Sequence, residues 1–216
     1  MCSPTFAQIE VSLSPARLQR YMGAANGDKH HALRLYIWNT RLGESFYLPS
    51  QICEITVRNA IHRAVRANFG EQWHQSPAFT RSLPDRLKNE LTKVIQDETV
   101  AYGAAMTNDH LVSGLSFGFW VNLLTSRYDH TLWPRFFPRC FPNKPANIGR
   151  PDIQIEAEQF RMQRNRIAHH KPLFDRNPVS EYQRMLKIIG WVSPETFWFV
   201  QKISNVSQTI NARPPY

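Results

Sequence analysis

Apolar and polar positions alternate with a helical period along most of the chain, and little between these segments has the pattern of a strand. Ser14 followed by Pro15 marks one helix start, and Asp28 marks a second. Two short helices are predicted there. After the sequence GESF, a longer helix is predicted from Leu48 to about Phe69, ending at Gly70 in a left-handed C-cap. The pattern therefore predicts an all-α protein.

The second half of the chain continues the pattern with one interruption. A mostly apolar helix is predicted over DHLVSGLSFGFWVNLL, after another helix over SLPDRLKNELTKVIQDETVAYGAAM. Prolines at 134, 138, 142, 145 and 151 predict that no helix forms in residues 133–151. Helical patterning resumes from Asp152 to about His170. Two further helices are predicted, one from NPVSEYQRML and one over SPETFWFVQKISNVSQTI.

Charged residues break the apolar pattern in two of these helices. The helix over residues 48–69 is apolar on most sides, which indicates a buried central helix, yet Glu54 and Arg58 lie one turn apart on it. In the helix that begins near Asp152, Arg164 is the one charge on an otherwise apolar stripe. A buried guanidinium without a partner costs several kcal/mol, so Arg164 needs a carboxylate, a carbonyl, a phosphate or water.

Two pairings are open for these charges. Glu54 could pair with Arg58 on its own helix. It could equally hold Arg164 from the neighbouring helix and leave Arg58 and Asn59 directed at the same cavity. Polar groups that converge from two helices form a candidate active site, and a buried structural ion pair is the alternative.

Two adjacent histidines close the helix that carries Arg164. His169 lies five residues after Arg164, about 140° around an ideal helix, so the two side chains do not share a face. His169 lies one turn after Asn165. Pro172 disfavours helical geometry at the residue before it, so we expect the helix to end near His170. A histidine at such a position often only caps free carbonyls.

The net charge of the chain indicates which class of partner it favours. The 216 residues contain 26 Lys and Arg against 17 Asp and Glu, a net charge of +9, which favours a polyanionic partner such as nucleic acid; an ordinary basic protein is the alternative.

Three cysteines, Cys2, Cys53 and Cys140, form neither a disulfide framework nor a metal motif and favour a reducing compartment. No apolar run approaches the roughly twenty residues of a membrane span, so we expect a cytoplasmic protein without membrane contact.

The proline-rich connector, residues 133–151, is basic and aromatic. Arg135 and Arg139 are interleaved with phenylalanines, a combination that suits single-stranded RNA. The alternative is a loop whose aromatic side chains dock on the body of the protein.

We find no metal-ligand motif, P-loop or serine-hydrolase elbow, so no metal and no cofactor are expected. The expected organisation is an N-terminal helical extension over residues 1–45, a helical core over 46–192, and a C-terminal helix and tail over 193–216.

Three segments together resemble a known family. EITVRN (residues 54–59), LSFGFWVNLL (115–124) and RNRIAHHKPLF (164–174) are similar, in this order, to segments of the abortive-infection (Abi-like) family of bacterial HEPN proteins. The last segment contains R-N-x-x-x-H, which resembles the R-x(4–6)-H motif of HEPN ribonucleases. The resemblance spans roughly residues 45 to 175. It implies an all-α, HEPN-like helical bundle with additional peripheral helices.

The resemblance also implies a function. HEPN enzymes of this kind are metal-independent endoribonucleases that act as toxins in toxin–antitoxin or abortive-infection phage defence. They commonly build the site from two protomers, and a small RNA or a protein antitoxin holds them in check. Attack by the ribose 2′-OH would leave a 2′,3′-cyclic phosphate. A non-catalytic RNA-binding HEPN module is the alternative, and a third possibility is an interaction protein with a structural buried network.

The chemistry assigns roles to the residues of the motif. His169 suits acid/base catalysis because histidine titrates near neutral pH, and Arg164 suits stabilisation of charge on the phosphate. Asn165 would orient His169 from one turn away. The expected supporting residues are His170, Glu54, Arg58 and Asn59. The expected RNA-backbone contacts near the motif are Arg161, Arg166 and Lys171, for which a solvated basic face is the alternative.

Overall fold

The computed structural model describes residues 3–215, and the side chains of residues 6–215. Cys2 lies outside this range. The secondary structure between residues 3 and 215 is helical, with no strand in that range. No helix in the same range is long and apolar enough to cross a bilayer. The prediction of an all-α protein is confirmed.

Twelve α-helices follow one another in residues 3–215. In chain order they are α1 (Ser3–Leu13), α2 (Pro15–Ala24), α3 (Lys29–Phe69), α4 (Pro77–Ser82), α5 (Asp85–Tyr102), α6 (Asn108–Gly114), α7 (Phe117–Asn122), α8 (Trp133–Cys140), α9 (Arg150–Ala168), α10 (Pro178–Val192), α11 (Pro194–Ile203) and α12 (Val206–Asn211). Short 3-10 turns cover Trp73–Gln75, Gly103–Ala105 and Ser126–Tyr128.

Helix α3 differs most from the sequence prediction. It begins after Asp28, whose side chain accepts hydrogen bonds from two backbone N–H groups of the first turn, and ends at Gly70 with a positive φ of 84°. Both ends were predicted, but the interruption at GESF is wrong: the helix runs for 41 residues without a break. Pro49 lies inside it and is buried, so packing offsets the hydrogen bond that proline cannot donate. The expected boundary at residues 45–46 therefore falls inside one helix.

Helix α3 forms the centre of the molecule. It packs against α2, α7, α8, α9, α10 and α12. Val57, Ala60, Ile61 and Val65 are fully buried, which confirms that this part of the helix is central. Ile55 is an exception, because its side chain is 38% exposed. One side of α3 therefore reaches the surface beside Glu54.

The connector is not free of helix. Helix α8 forms in it, with Pro134 in its first turn, where a missing N–H is tolerated, and Pro138 inside it. The three phenylalanines of the connector are buried, while Arg135 and Arg139 are exposed. The alternative interpretation, in which the aromatic side chains dock on the body, is therefore confirmed for these rings.

Two other predicted helices are divided. Ser116 interrupts the apolar segment between α6 and α7, since its side chain accepts a hydrogen bond from Phe119 N–H and caps α7. The carboxylate of Glu90 also accepts from the N–H of Ser116 at 2.9 Å. The C-terminal segment is divided between Ile203 and Val206 into α11 and α12. Apolar periodicity alone did not reveal either break; the first depends on the cap that Ser116 provides.

A single buried side chain of α3 holds the turn that follows α9. Asn39 is 7% exposed, and its Oδ1 accepts hydrogen bonds from the backbone N–H groups of Leu173 and Phe174 at 2.6 and 3.1 Å. The two N–H groups lie away from water and need this acceptor. Asn39 therefore fixes the turn that follows the two histidines.

Helix α2 holds the same turn from the other side. The guanidinium of Arg17 donates to the carbonyl oxygen of His170 at 3.0 Å, and Arg20 forms an ion pair with Asp175 at 2.7 Å. Arg166 of α9 donates to the carbonyl of Pro172 at 2.7 Å and also contacts Asp175. The N-terminal helices are thus tied directly to the histidine segment.

Replacing Asn39 by Leu is expected to destabilise the protein by about 2 to 4 kcal/mol, because two buried N–H groups lose their acceptor. For a chain of this length that is a fall in Tm of about 5 to 15 °C. Asn39→Asp keeps an acceptor oxygen and should lose much less. Thermal unfolding followed by circular dichroism measures both variants. An Asn39→Leu protein with wild-type Tm would contradict this role.

Candidate functional site

An ion pair connects α3 to α9 at the surface. The Nε of Arg164 donates to Glu54 at 3.0 Å, so Glu54 holds the arginine of the neighbouring helix. The pair is only partly buried, since the side chains of Arg164 and Glu54 are 43% and 21% exposed. On α9 the apolar stripe is buried as far as Phe160 and then emerges from the core. Arg164 therefore lies at the edge of the core and not inside it.

Arg58 lies one turn from Glu54 and has no ion-pair partner within 4.0 Å among the described residues. Its Nε donates to the side-chain oxygen of Asn59 at 3.4 Å. Partial burial lowers the pKa of Arg58, while the charges of Glu54 and Asp109 act in the opposite direction. Among the described residues Glu54 therefore pairs with Arg164, and Arg58 is left without a carboxylate partner.

These charges line an open cavity of about 330 Å³ between α3 and α9. Its lining includes Glu54, Arg58 and Arg164, together with Tyr47 and Gln51. Asn59 does not line it, contrary to the sequence prediction, although its side-chain oxygen accepts a hydrogen bond from Arg58.

A second cavity, of about 660 Å³, lies on the other side of the ion pair, toward α7. Glu54 and Arg164 line it as well, and so do Asn165 and Arg161. Arg164 therefore faces two openings in the surface, with Glu54 beside it in both.

The two histidines lie just beyond the end of α9, which stops at Ala168, slightly before the predicted position. The N–H of His169 donates to the carbonyl of Asn165 at 3.0 Å, and its side chain is exposed. His170 is exposed and has a positive φ of 52°, a conformation that closes the helix end. Both imidazoles are therefore accessible from solvent.

Arg164 and His169 line different cavities within one protomer. His169 lines a cavity of about 530 Å³ between α9 and the start of α10, and Lys171 lines it too. Asn165 lines both this cavity and the 660 Å³ cavity of Arg164. Its side-chain oxygen accepts from Arg164 at 3.4 Å. Asn165 therefore contacts the arginine and lines the cavity of His169 as well.

The cationic side chains predicted to contact RNA differ in whether they already have hydrogen-bond partners within the protein. The Nε and Nη2 of Arg161 donate to the two carboxylate oxygens of Glu158, and this hydrogen bonding raises the pKa of Arg161. Arg166 is tied to Pro172 and Asp175. Lys171 is exposed and lines the cavity of His169. The exposed Arg135 and Arg139 lie on α8 and line none of these three cavities.

His62 is a further titratable group near the site that the sequence reasoning missed. It lies one turn after Arg58, and its ring packs against Trp73 and Trp120 with centroid distances of 5.7 and 5.8 Å. Burial, followed by the charge of Arg66, lowers the pKa of His62. The neutral form is favoured, so His62 adds no positive charge beside Arg58. The i, i+4 spacing after Arg58 is the signal that could have identified it.

The arrangement is suited to binding an anion. Two guanidinium groups and one carboxylate leave an excess of positive charge at the edge of an open cavity. Arginine can grip two phosphate oxygens together, and partial burial strengthens such a contact relative to water. Glu54 keeps Arg164 in position and leaves part of its guanidinium exposed.

Replacing Arg164 by Ala is expected to lower the free energy of unfolding by less than about 1 kcal/mol, because the pair with Glu54 is half exposed. A structural buried network would instead require a loss of about 3 to 5 kcal/mol. Urea unfolding at pH 7 measures the difference.

Arg150→Ala is the matched control for this experiment. The Arg150 side chain is 10% exposed and is held by Asp129, the carbonyl of Leu124 and Gln154. This variant should show the larger loss. An equal loss in Arg164→Ala would support the structural role.

Comparison of the chain with protein-family models, with curated proteins and with solved structures found no match. Within residues 3–215 no group of three or more His, Cys, Asp or Glu side chains is arranged to hold a metal ion. The candidate site consists of Arg58 and Arg164 at one cavity, with Glu54 paired to Arg164, and of an exposed histidine turn that lines a neighbouring cavity.

Proposed function

We propose that this protein is a metal-independent endoribonuclease of the HEPN type, acting in the cytoplasm as a toxin of a toxin–antitoxin or phage-defence system. The observation that carries the proposal is that Arg58 and Arg164 line one open cavity, Arg164 held by Glu54 and Arg58 without an ion-pair partner among the described residues. The resemblance of the segments around these residues to HEPN proteins supports the same conclusion. RNA is the proposed substrate, and a small RNA or a protein is the proposed antitoxin.

The phosphate of the scissile bond is proposed to bind between Arg58 and Arg164. As the 2′-OH attacks, negative charge builds on the phosphorus-bound oxygens, and two fixed cations stabilise it. Arg58 supports this role because it lacks an ion-pair partner of its own among the described residues. An oxyanion would satisfy both guanidinium groups without displacing Glu54.

His169 is proposed to transfer the protons. One group must take the proton of the ribose 2′-OH and another must protonate the leaving 5′-oxygen. An exposed imidazole at the end of a helix can do either near neutral pH. The reaction exchanges the bond from phosphorus to the 5′-oxygen for one to the 2′-oxygen, which leaves a 2′,3′-cyclic phosphate and a 5′-OH. His170 is proposed to assist.

The full catalytic set is proposed to require two protomers. Within one protomer Arg164 and His169 line different cavities, so a second copy is needed to bring a histidine to the arginine pair. A two-fold contact suits this because it places the same surface of both copies at one interface. Exposed side chains with apolar surface at the cavity support such a contact: Ile55 and Tyr47 line it and are 38% and 68% exposed.

A second candidate is an RNA-binding module that does not cut. One observation favours it: in the single protomer Arg164 and His169 line different cavities, so the arginine pair has no motif histidine beside it. In this case the same arginines would grip phosphate while no group transfers protons.

Purified protein is expected to cleave end-labelled single-stranded RNA in excess EDTA and to leave 2′,3′-cyclic phosphate ends. His169→Ala should lose cleavage by about 100-fold or more, in keeping with the loss of a general acid or base. His30→Ala, which removes an exposed histidine at the start of α3, is the matched control and should cut like the wild type.

Three results separate the candidates. Cleavage by the wild type and by His30→Ala, but not by His169→Ala, supports the ribonuclease. RNA binding by all three proteins without cleavage supports the binding module. Absence of both binding and cleavage contradicts either role for the arginine pair.

A further inference from the structure

A larger cavity, of about 770 Å³, lies between the N-terminal helices and α3. It is lined by polar, aromatic and apolar groups from α1, α2, α3 and the histidine turn. Its lining includes Arg17, Tyr36, Gly43, Tyr47, His170 and Lys171. The chain segment that forms its outer wall lies within the N-terminal extension, to which the sequence patterns assign no function.

This cavity adjoins the cavity of Arg58 and Arg164. Tyr47, Ile167 and Ala168 line both of them, so the two openings lie side by side along α3 and α9. Tyr47 stands at the boundary with its side chain 68% exposed. A strand whose phosphate reaches the arginine pair can therefore place a neighbouring nucleotide in the larger cavity.

The lining has the chemistry of a site for an unpaired nucleotide. Tyr36 and Tyr47 offer aromatic rings at the wall and at the entrance, and bases stack on such rings regardless of sequence. Arg17 and Lys171 are exposed cations, against the single carboxylate of Glu44 in the lining. An apolar and aromatic interior with a cationic edge fits a base and its phosphate. Single strands supply such bases, because those of a duplex are stacked on one another.

The cavity is also fixed relative to the histidines. Arg17 of its outer wall donates to the carbonyl of His170, and Arg20 pairs with Asp175 in the turn beyond. These contacts join the wall to the turn that follows α9. A nucleotide bound there would lie beside the arginine pair of the same protomer, because both cavities are built on α3 and α9, and such placement positions a substrate for cleavage.

We propose that the cavity between α2 and α3 binds one unpaired nucleotide of the RNA substrate, next to the phosphate held by Arg58 and Arg164. The proposal rests on the proposed function in that the ligand is RNA. It assigns to the N-terminal helices the recognition of a single-stranded substrate.

Gly43 allows the cavity to be filled without disturbing the fold. It lies inside α3 and lines the cavity, and a Cβ built on it meets only a methyl carbon of Leu173 at 3.7 Å, an ordinary contact. Glycine inside a helix is unfavourable, so Gly43→Met should not reduce helix stability. Gly23→Met in α2 is the matched control, because Gly23 is exposed and a Cβ there has no neighbour within 4 Å.

The test is binding of a fluorescent single-stranded RNA in which every 2′-OH is methylated. This probe cannot be cut by 2′-OH attack, so binding is read without chemistry. Fluorescence anisotropy should show that Gly43→Met raises Kd by about tenfold or more, as expected for loss of one stacked base, while Gly23→Met leaves it unchanged. Tyr47→Ala should weaken binding as well, and Tyr47→Phe, which keeps the ring, should not. Thermal unfolding confirms that the variants are folded.

The outcomes separate this proposal from the proposed function. If the wild type cuts ordinary RNA but Gly43→Met binds the probe as tightly as wild type, the nucleotide cavity is wrong and the ribonuclease remains. If the wild type binds the probe without cutting ordinary RNA, and Gly43→Met weakens that binding, the cavity is supported and catalysis is not. If the wild type does not bind the probe, the cavity proposal is overturned.

Discussion

The position of the histidine turn depends on the buried amide of Asn39. Without it the N–H groups of Leu173 and Phe174 would have no acceptor, and no hydrogen bond from the Asn39 side chain would tie the turn to α3. The same helix carries Glu54, about 22 Å further along, which holds Arg164. Because α3 is one uninterrupted helix, a single element positions both Arg164 and the turn that follows the histidines.

Much of the fold could be predicted because caps and periodicity are local. Asp28 and Gly70 bound α3 as expected, since each acts through the backbone beside it. The continuity of α3 could not be predicted, because Gly43 and Pro49 are helix breakers in isolation. Burial of Pro49 against the rest of the protein overrides that preference. The helix in the connector was missed for the same reason: its buried phenylalanines outweigh Pro138.

The candidate site was predicted in part. Spacing placed Glu54 and Arg164 on facing helices, and their contact is one of the two pairings left open. Spacing does not say how far a neighbouring helix extends, so the half-exposed position of Arg164 could not be foreseen. Asn39 and His62 were missed because a single buried polar residue does not change an apolar period. The contacts of Arg161 and Arg166 with acids depend on the path of the chain, which sequence patterning does not give.

We propose that a complete catalytic site combines Arg164 of one protomer with His169 of another. The direct test co-expresses Arg164→Ala and His169→Ala chains with different tags, purifies the mixed dimers and measures their RNA cleavage. Each mixed dimer has one site with both residues intact, so activity should return to up to about half of the wild-type value, although each variant alone is inactive. Mixed dimers no more active than the single variants would contradict a site shared between protomers.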